Sequence, residues 1–384
     1  MKHRIAINGY FTSRPFTGFG VYTWGYLKAF TKIADKEKYD LIVLVPKKPA
    51  ITLGGAVRFV ECPLANDTPI NKILWEQRAI PAACKKYDVD LLHSMYPATV
   101  IFDKGIPQLT SIHDATPWHF AEHSQGLAVK LLHRYSVWSN KKADRVVSVS
   151  NYGKYDVEQI FGIPKGKIDV VYNGVDNRYR EHCTQAGKER IRAKYNLPEK
   201  YIFYIGGFEV HKNVRRLFQS FARASSEIKH DLVIAGGVFS KARPAVYKDY
   251  FDLPKLIANY KLEKRVHMIG VVPEEDLPAL YQASSLYIMP SLAEGFNLPL
   301  VQAFACKVPT ISANTPATGE IAGHASYLVD ATNIEAMAAA IVRLLHDKKR
   351  QNELITEGIV RQKQFTWENA AERMLVLYDS LLNR

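Results

Sequence analysis

Residues 285–314 read SLYIMPSLAEGFNLPLVQAFACKVPTISAN. The stretch opens on one short apolar run, Leu286 to Met289, and closes on another around Ile311. Between them, Asn297 and Pro299 mark the start of an apolar helix. Asn caps helices and tolerates left-handed geometry, and Pro is permitted in a first turn. Strand, helix and strand in succession make a βαβ unit, whose strands lie parallel and are buried on both faces. One acid, Glu294, stands outside the helix mouth, and one amide, Gln302, stands inside the helix. A carboxylate there suits hydroxyl groups better than an anion. The free backbone N–H groups around Asn297 and Leu298 form a cradle for an anion or a hydroxyl.

The same alternation runs outward in both directions. Upstream, "RIAING", "DLIVLVP", "VRFVEC", "DLLHSM", "PQLTSIHD", "RVVSVS" and "IDVVYNG" read as buried strands, with helical stretches such as "VYTWGYLKAFTKIA" and "AVKLLHRYSVWSNKKA" between them. A charged connecting helix, "GKERIRAKYNL", follows, and the pattern restarts: "YIFYIGG", "DLVIAGG", "RVHMIGVV", "SLYIMPS", "VPTISAN", "SYLVD". The fold class expected is α/β, with two doubly wound Rossmann-like domains facing across a cleft. We place the first domain at 1–176 and the second at 196–365. A last helix over 366–384 starts at Thr366, with Glu368 expected to complete a capping box. No internal repeat is visible. In such sheets ligands bind beyond the carboxyl ends of strands, so the informative residues are expected where strand patterns end.

The chain has 384 residues, of which 47% are hydrophobic, enough for two real cores and too many for disorder. Its four cysteines are scattered without a CxxC pair, which argues against a zinc site or a disulfide framework and suits a reducing compartment. The opening "MKHRIAINGYF" lacks the apolar core of a signal peptide, and no run reaches the ~18 apolar residues of a membrane span. The net charge is +13, and residues 1–175 hold 23 Lys/Arg against 15 Asp/Glu, an excess of 8. A solvated basic surface accounts for this, as does an anionic membrane surface or a phosphorylated small molecule. No motif favours nucleic acid. The Asp88–Asp90 "DVD" leads straight into a strand and is not read as a metal motif.

Three further strand ends stand out. Gly18 and Gly20 open a helix after the first strand, where small residues let a backbone approach a ligand; a plain tight turn explains them equally. His113 and Asp114 end the "SIHD" strand, placed either to touch a substrate or to hold the turn. After Gly206 and Gly207 comes the basic pair His211–Lys212, just before a helix beginning near Asn213. Lys beside a helix N-terminus opposes the dipole unless an anion lies between them, which points to phosphate; an exposed loop Lys is the plainer account.

Taken jointly and in order, these segments resemble the GT-B glycosyltransferases of family GT4. "SIHDATP" resembles that family's strand-end HD segment. "YIGGFEVHKNVRRLFQSF" is similar to its basic donor-phosphate segment, and the 285–314 stretch to its E-x7-E region. The resemblance covers nearly the whole chain, and it implies an acceptor-binding first domain over 1–176, to which the last helix 366–384 crosses back, and a nucleotide-sugar-binding second domain over 196–365. It implies transfer of a hexose or deoxyhexose from a nucleotide diphosphate sugar to a saccharide or lipid-linked acceptor, with retention at the anomeric carbon and without a metal or other cofactor. By motif, Glu294 would hold hydroxyls of the donor sugar and His113 would lie near the reacting sugar. Lys212, His211, Gly18, Gly20 and Gly207 would surround the diphosphate, joined by the N–H groups of Phe296, Asn297 and Leu298. Val271 and Val272 would border the base. The style of "HDATP" leans toward GDP-mannose. A cytoplasmic enzyme on the inner membrane face, building surface polysaccharide, is the expected setting.

Two positions depart from the family pattern. His211 replaces an Arg, so weaker or pH-dependent donor binding is expected. Gln302 replaces the acid that holds the ribose, and an amide can still accept one hydrogen bond there. These departures keep two alternatives open: a non-catalytic binder of sugar nucleotides or glycans, and a transferase with a soluble acceptor.

Overall fold

The computed structural model describes residues 2–51, 53–54, 57–101, 105–237 and 248–383. The chain folds as two compact units. The first comprises Met1–Ala115, Gln125–Gly174 and Thr366–Arg384; the second comprises Thr116–Ser124 and Val175–Phe365.

In the first unit, strands β1 (His3–Asn8), β2 (Tyr39–Val45), β3 (Val57–Glu61), β4 (Leu91–Ser94), β5 (Gln108–Ile112), β6 (Arg145–Ser148) and β7 (Ile168–Val170) form one parallel sheet. Its order is β3-β2-β1-β4-β5-β6-β7. Ile5 lies opposite Leu41 on one side and Leu91 on the other, and all three are fully buried. Burial on both faces is why these strands read as unbroken apolar runs rather than as alternation.

The second unit repeats the design with β8 (Tyr201–Ile205), β9 (Asp231–Ala235), β10 (Val266–Gly270), β11 (Leu286–Met289), β12 (Thr310–Ala313) and β13 (Tyr327–Val329), in the order β10-β9-β8-β11-β12-β13. The stretch 285–314 is indeed strand, helix, strand: β11, the helix Leu298–Ala305 and β12, with Tyr287 opposite Thr310. All thirteen expected strands are present. Most end short of the expected boundary, because their Gly or polar tails, such as His113–Asp114 and Gly206–Gly207, turn out of the sheet. The strand order reverses between β1 and β4 and again between β8 and β11, which sets one topological switch point in each unit.

The C-terminal helix Trp367–Leu382 packs on the helix Gly18–Ile33 within the first unit. A Cβ at Gly25 would fall 2.2 Å from the Trp367 ring, so only Gly permits this approach. Beneath it runs a buried polar chain. Tyr26 donates to the Tyr378 hydroxyl at 2.9 Å, which lies 2.8 Å from His93 Nδ1. His93 Nε2 is 2.9 Å from Ser111 Oγ, itself 3.0 Å from the Tyr22 hydroxyl. Thr366 caps the helix, accepting from Asn369 N at 3.0 Å. The expected capping box is corrected: Glu368 is one position too early to reach back and pairs with Lys32 at 3.1 Å instead.

Among the described residues no helix is long and apolar enough to cross a membrane, and no His, Cys, Asp or Glu cluster could hold a metal ion. Asp88 and Asp90 bond to Arg4, through its guanidinium and its backbone N–H.

The Tyr378 hydroxyl satisfies two buried groups at once. Tyr378→Phe is therefore expected to cost about 2–4 kcal/mol, above the ~1 kcal/mol of an ordinary hydrogen bond. Urea unfolding of the two proteins checks this.

Candidate functional site

At the second switch point the chain leaves β8 through Gly206 and the buried Gly207, whose carbonyl accepts from the Tyr204 hydroxyl at 2.9 Å. A short turn, Val210–Lys212, leads to Asn213 in the left-handed region (φ 58°), which starts the helix Val214–Ala224. Asn213 Nδ2 donates to Pro290 O at 3.1 Å and to Ala331 O at 2.8 Å, binding together the loops after β8, β11 and β13. Leu292 N donates to His211 O at 2.7 Å and locks the same loops again. These anchors bring Lys212 Nζ to 2.7 Å from Glu294 Oε1, with side chains 19% and 12% exposed. The anion that compensates a Lys beside a helix start is thus a carboxylate of the chain itself. Both charges are partly shielded from water, so removing either leaves the other poorly compensated.

His211 lies buried behind this pair. Its Nδ1 is 3.3 Å from Nε2 of His123, and the Phe120 ring packs on it at 5.8 Å. Burial first, then the charge of Lys212 and the neighbouring His123, hold the His211 imidazole near a pKa of 2. Burial thus keeps this imidazole neutral across the physiological range.

The helix Leu298–Ala305 begins at Asn297, which is buried and left-handed (φ 66°). Its side chain does not cap: Nδ2 donates to Thr318 Oγ1 at 3.2 Å, and Oδ1 is buried without a partner. The N–H groups of Asn297 and Leu298 donate to no acceptor among the described residues. Gln302 is 8% exposed, and its Oε1 lies 3.2 Å from the Tyr281 hydroxyl, which also reaches Pro299 O at 3.1 Å. The amide therefore has a structural partner in the core. The Phe296 ring is buried edge-on against Phe365 at 5.3 Å. After β10, Val271 is 58% exposed and Val272 is buried.

Gly18, Gly20 and His113 belong to the first unit. A Cβ at Gly20 would fall 2.0 Å from Arg14 O, so packing alone requires that glycine; around Gly18 the space is open. Gly18 is thus the position where the missing side chain serves no contact of the fold. His113 packs edge-on against Tyr22 at 4.3 Å and near Phe19 at 4.7 Å. Burial lowers its pKa to about 4 against the opposing effect of a hydrogen bond to the Met95 backbone, and its Nε2 is buried without a partner.

Asn213, His123 and Tyr281 escaped sequence reading. Asn213 had a signal, an Asn just before a helix, the residue type most tolerant of left-handed geometry. His123 and Tyr281 had none, because their partners lie 88 and 21 residues away.

Residues 26–179 match Glycosyltransferase Family 4, and residues 187–361 match Glycosyl transferases group 1. Over 278 residues the chain is 27% identical to the O-antigen chain mannosyltransferase B of Escherichia coli, covering 71% of this chain and 70% of that protein. It is 22% identical over 246 residues to the serotype-specific mannosyltransferase WbdA of Escherichia coli; this spans 63% of the chain but only 29% of that longer protein. Among solved structures, Anabaena Alr3699/HepE in complex with UDP and glucose matches with a TM-score of 0.77 at 17% identity, over 99% of this chain and 100% of that one.

Three histidines, His93 (pKa about 3), His113 (about 4) and His211 (about 2), are held neutral by burial. In the unfolded chain each titrates near 6.5, so below that pH the unfolded state binds more protons. Their contribution is fully present above about pH 7 and falls with pH, by up to ~1.4 kcal/mol per pH unit for each. Urea midpoints from pH 8 to 5 are expected to hold level above 7 and drop below 6.5.

Proposed function

The chain belongs to the GT-B glycosyltransferases of family GT4, and from that premise we propose that it moves a hexose or deoxyhexose from a nucleotide diphosphate sugar to a saccharide or lipid-linked acceptor. The Lys212–Glu294 pair at the second switch point carries this reading. A diphosphate sugar offers each charge a replacement partner: phosphate for Lys212, hydroxyls for Glu294. As the sugar–phosphate bond breaks, negative charge gathers on the leaving diphosphate. Lys212 and the open N–H groups of Asn297 and Leu298 are aimed at such charge and supply it without a metal ion. Neutral His113 offers its unpartnered Nε2 to a hydroxyl of the transferred sugar. Gln302, engaged by Tyr281, serves the ribose with what remains of its amide. Retention at the anomeric carbon is part of the proposal. The mannosyltransferase relatives and the "HDATP" segment support mannose, with GDP-mannose as donor, in surface polysaccharide synthesis.

We further propose that the enzyme works on an anionic membrane surface. The helix Leu127–Asn140 contains no acidic residue. Leu127, Leu131 and Trp138 are 75%, 55% and 49% exposed and fall on one face. Lys130 and Arg134 on the helix and Lys141 and Lys142 just beyond it are exposed too. Apolar and basic side chains together are the signature of a helix lying in a lipid interface.

Thermal stabilisation by GDP-, UDP- and dTDP-sugars is expected to single out GDP-mannose. Glu294→Gln and Lys212→Ala should each lower transfer by roughly 10²–10³-fold; near-normal turnover in either removes that residue from the mechanism. Donor binding without transfer to any acceptor would make the chain a binder instead.

In low-salt co-sedimentation, the protein should favour anionic over zwitterionic vesicles, and Leu131→Glu with Trp138→Glu should abolish that preference. Equal recovery from both lipids argues against the membrane setting.

A further inference from the structure

The chain leaves the first unit after Ala115 and returns to it at Gln125; the residues between, Thr116–Ser124, belong to the second unit. Two short turns build this segment, Thr116–His119 and Ala121–Ser124. Ser124 Oγ donates to Pro117 O at 3.2 Å, and His123 N donates to Phe120 O at 3.0 Å, so the segment is tied to itself. Its turns present Phe120 and His123 to His211. The His123 ring lies 5.3 Å from the His211 ring, and the Phe120 ring lies 5.8 Å from it. Both histidines are buried.

Packing alone does not ask for histidine at these places. A Phe would fill either space without burying a polar ring, and a buried polar group costs free energy unless it is bonded. What two imidazoles add is direction. His211 Nδ1 and His123 Nε2 are 3.3 Å apart, so one donates and the other accepts. That bond fixes the rotation of the His211 ring, which an apolar contact leaves free. His211 also holds the neighbouring loop through its backbone, because its carbonyl accepts from Leu292 N at 2.7 Å. Lys212 follows His211 directly, and Glu294 lies two residues beyond Leu292. Asn213 anchors the chain on the far side of Lys212, and His211 anchors it on the near side. His211 thus stands at the root of both members of the Lys212–Glu294 pair.

We propose that His123 is a positioning residue for the transfer reaction: through His211 it holds Lys212 and Glu294 in the geometry that meets the donor. The role rests on the donor reading given above. His123 acts on no reacting atom itself, and neither a proton transfer nor a charge on the two rings is required; the bond works by orientation. A displaced pair shows in the chemical step, since a shift of about 1 Å at a group that stabilises developing charge costs up to ~10²-fold in rate.

The test has one reading that needs no substrate and one that does. For the first, Lys212→Ala and Glu294→Gln are made singly and together, in the wild type and in His123→Phe, and melting temperatures are compared. The two substitutions should be non-additive in the wild type. His123→Phe should cut that non-additivity by roughly half or more, and His123→Gln, whose amide can renew the bond to His211, should restore it. For the second, release of GDP from GDP-mannose, which needs no acceptor, should fall roughly 10- to 100-fold in His123→Phe with KM unchanged, and recover in His123→Gln. Undiminished non-additivity in His123→Phe overturns the positioning role. Unchanged GDP release there overturns it too, as does a loss that His123→Gln fails to recover. A wild type that neither releases GDP nor is stabilised by GDP-mannose removes the donor reading, while the melting temperatures still decide whether His123 positions the pair. Should His123→Phe not fold, His123→Asn, with an amide too short to reach His211, takes its place.

Discussion

Within each sheet every strand runs the same way, and this single constraint orders the rest of the molecule. Parallel strands need crossover helices, so each carboxyl end feeds a loop that opens onto a helix start. The chemistry-bearing residues of each sheet therefore gather on one edge. At the β8/β11 reversal, two loops can approach because no helix lies between them, and Lys212 meets Glu294 there. At the β1/β4 reversal, the loop after β4 opens onto a cavity lined by Glu76 and Tyr135.

Electrostatics at these edges follows from burial. His93, His113 and His211 are kept neutral, so they act through hydrogen bonds and shape rather than charge. The cations and carboxylates that remain charged are paired, Lys212 with Glu294 and Lys72 with Glu76. Against that background, His113 Nε2 and Asn297 Oδ1 are among the buried polar atoms without a partner, and both belong to residues marked in the sequence. Folding alone gains nothing from them, and each lies near the carboxyl edge of a sheet. Places where local consistency fails are where function is expected.

Much of this was legible in the residues. The thirteen strands announce themselves because burial on both faces demands apolar runs, and Gly or polar tails mark their ends. The stretch around Glu294 exposes its helix start through Asn297 and Pro299. Less was legible about what each marked residue does. Gly18 and Gly20 look alike in sequence, yet only Gly20 is required by a neighbouring carbonyl. Phe296 and Val272 adjoin the site by number but bury their side chains in the core. Glu368 sits one residue from a capping role and pairs with a lysine far away in the chain.

The sequence by itself determined the two parallel sheets, the helix starts at their carboxyl ends and the family. These depend on local periodicity and on motifs a few residues long. Only the tertiary structure decided that Lys212 is compensated by Glu294, that His211 is neutral against His123 and that Gln302 leans on Tyr281. Each of these pairs joins groups distant along the chain, and their charges and open hydrogen bonds are set by how deeply the fold buries them.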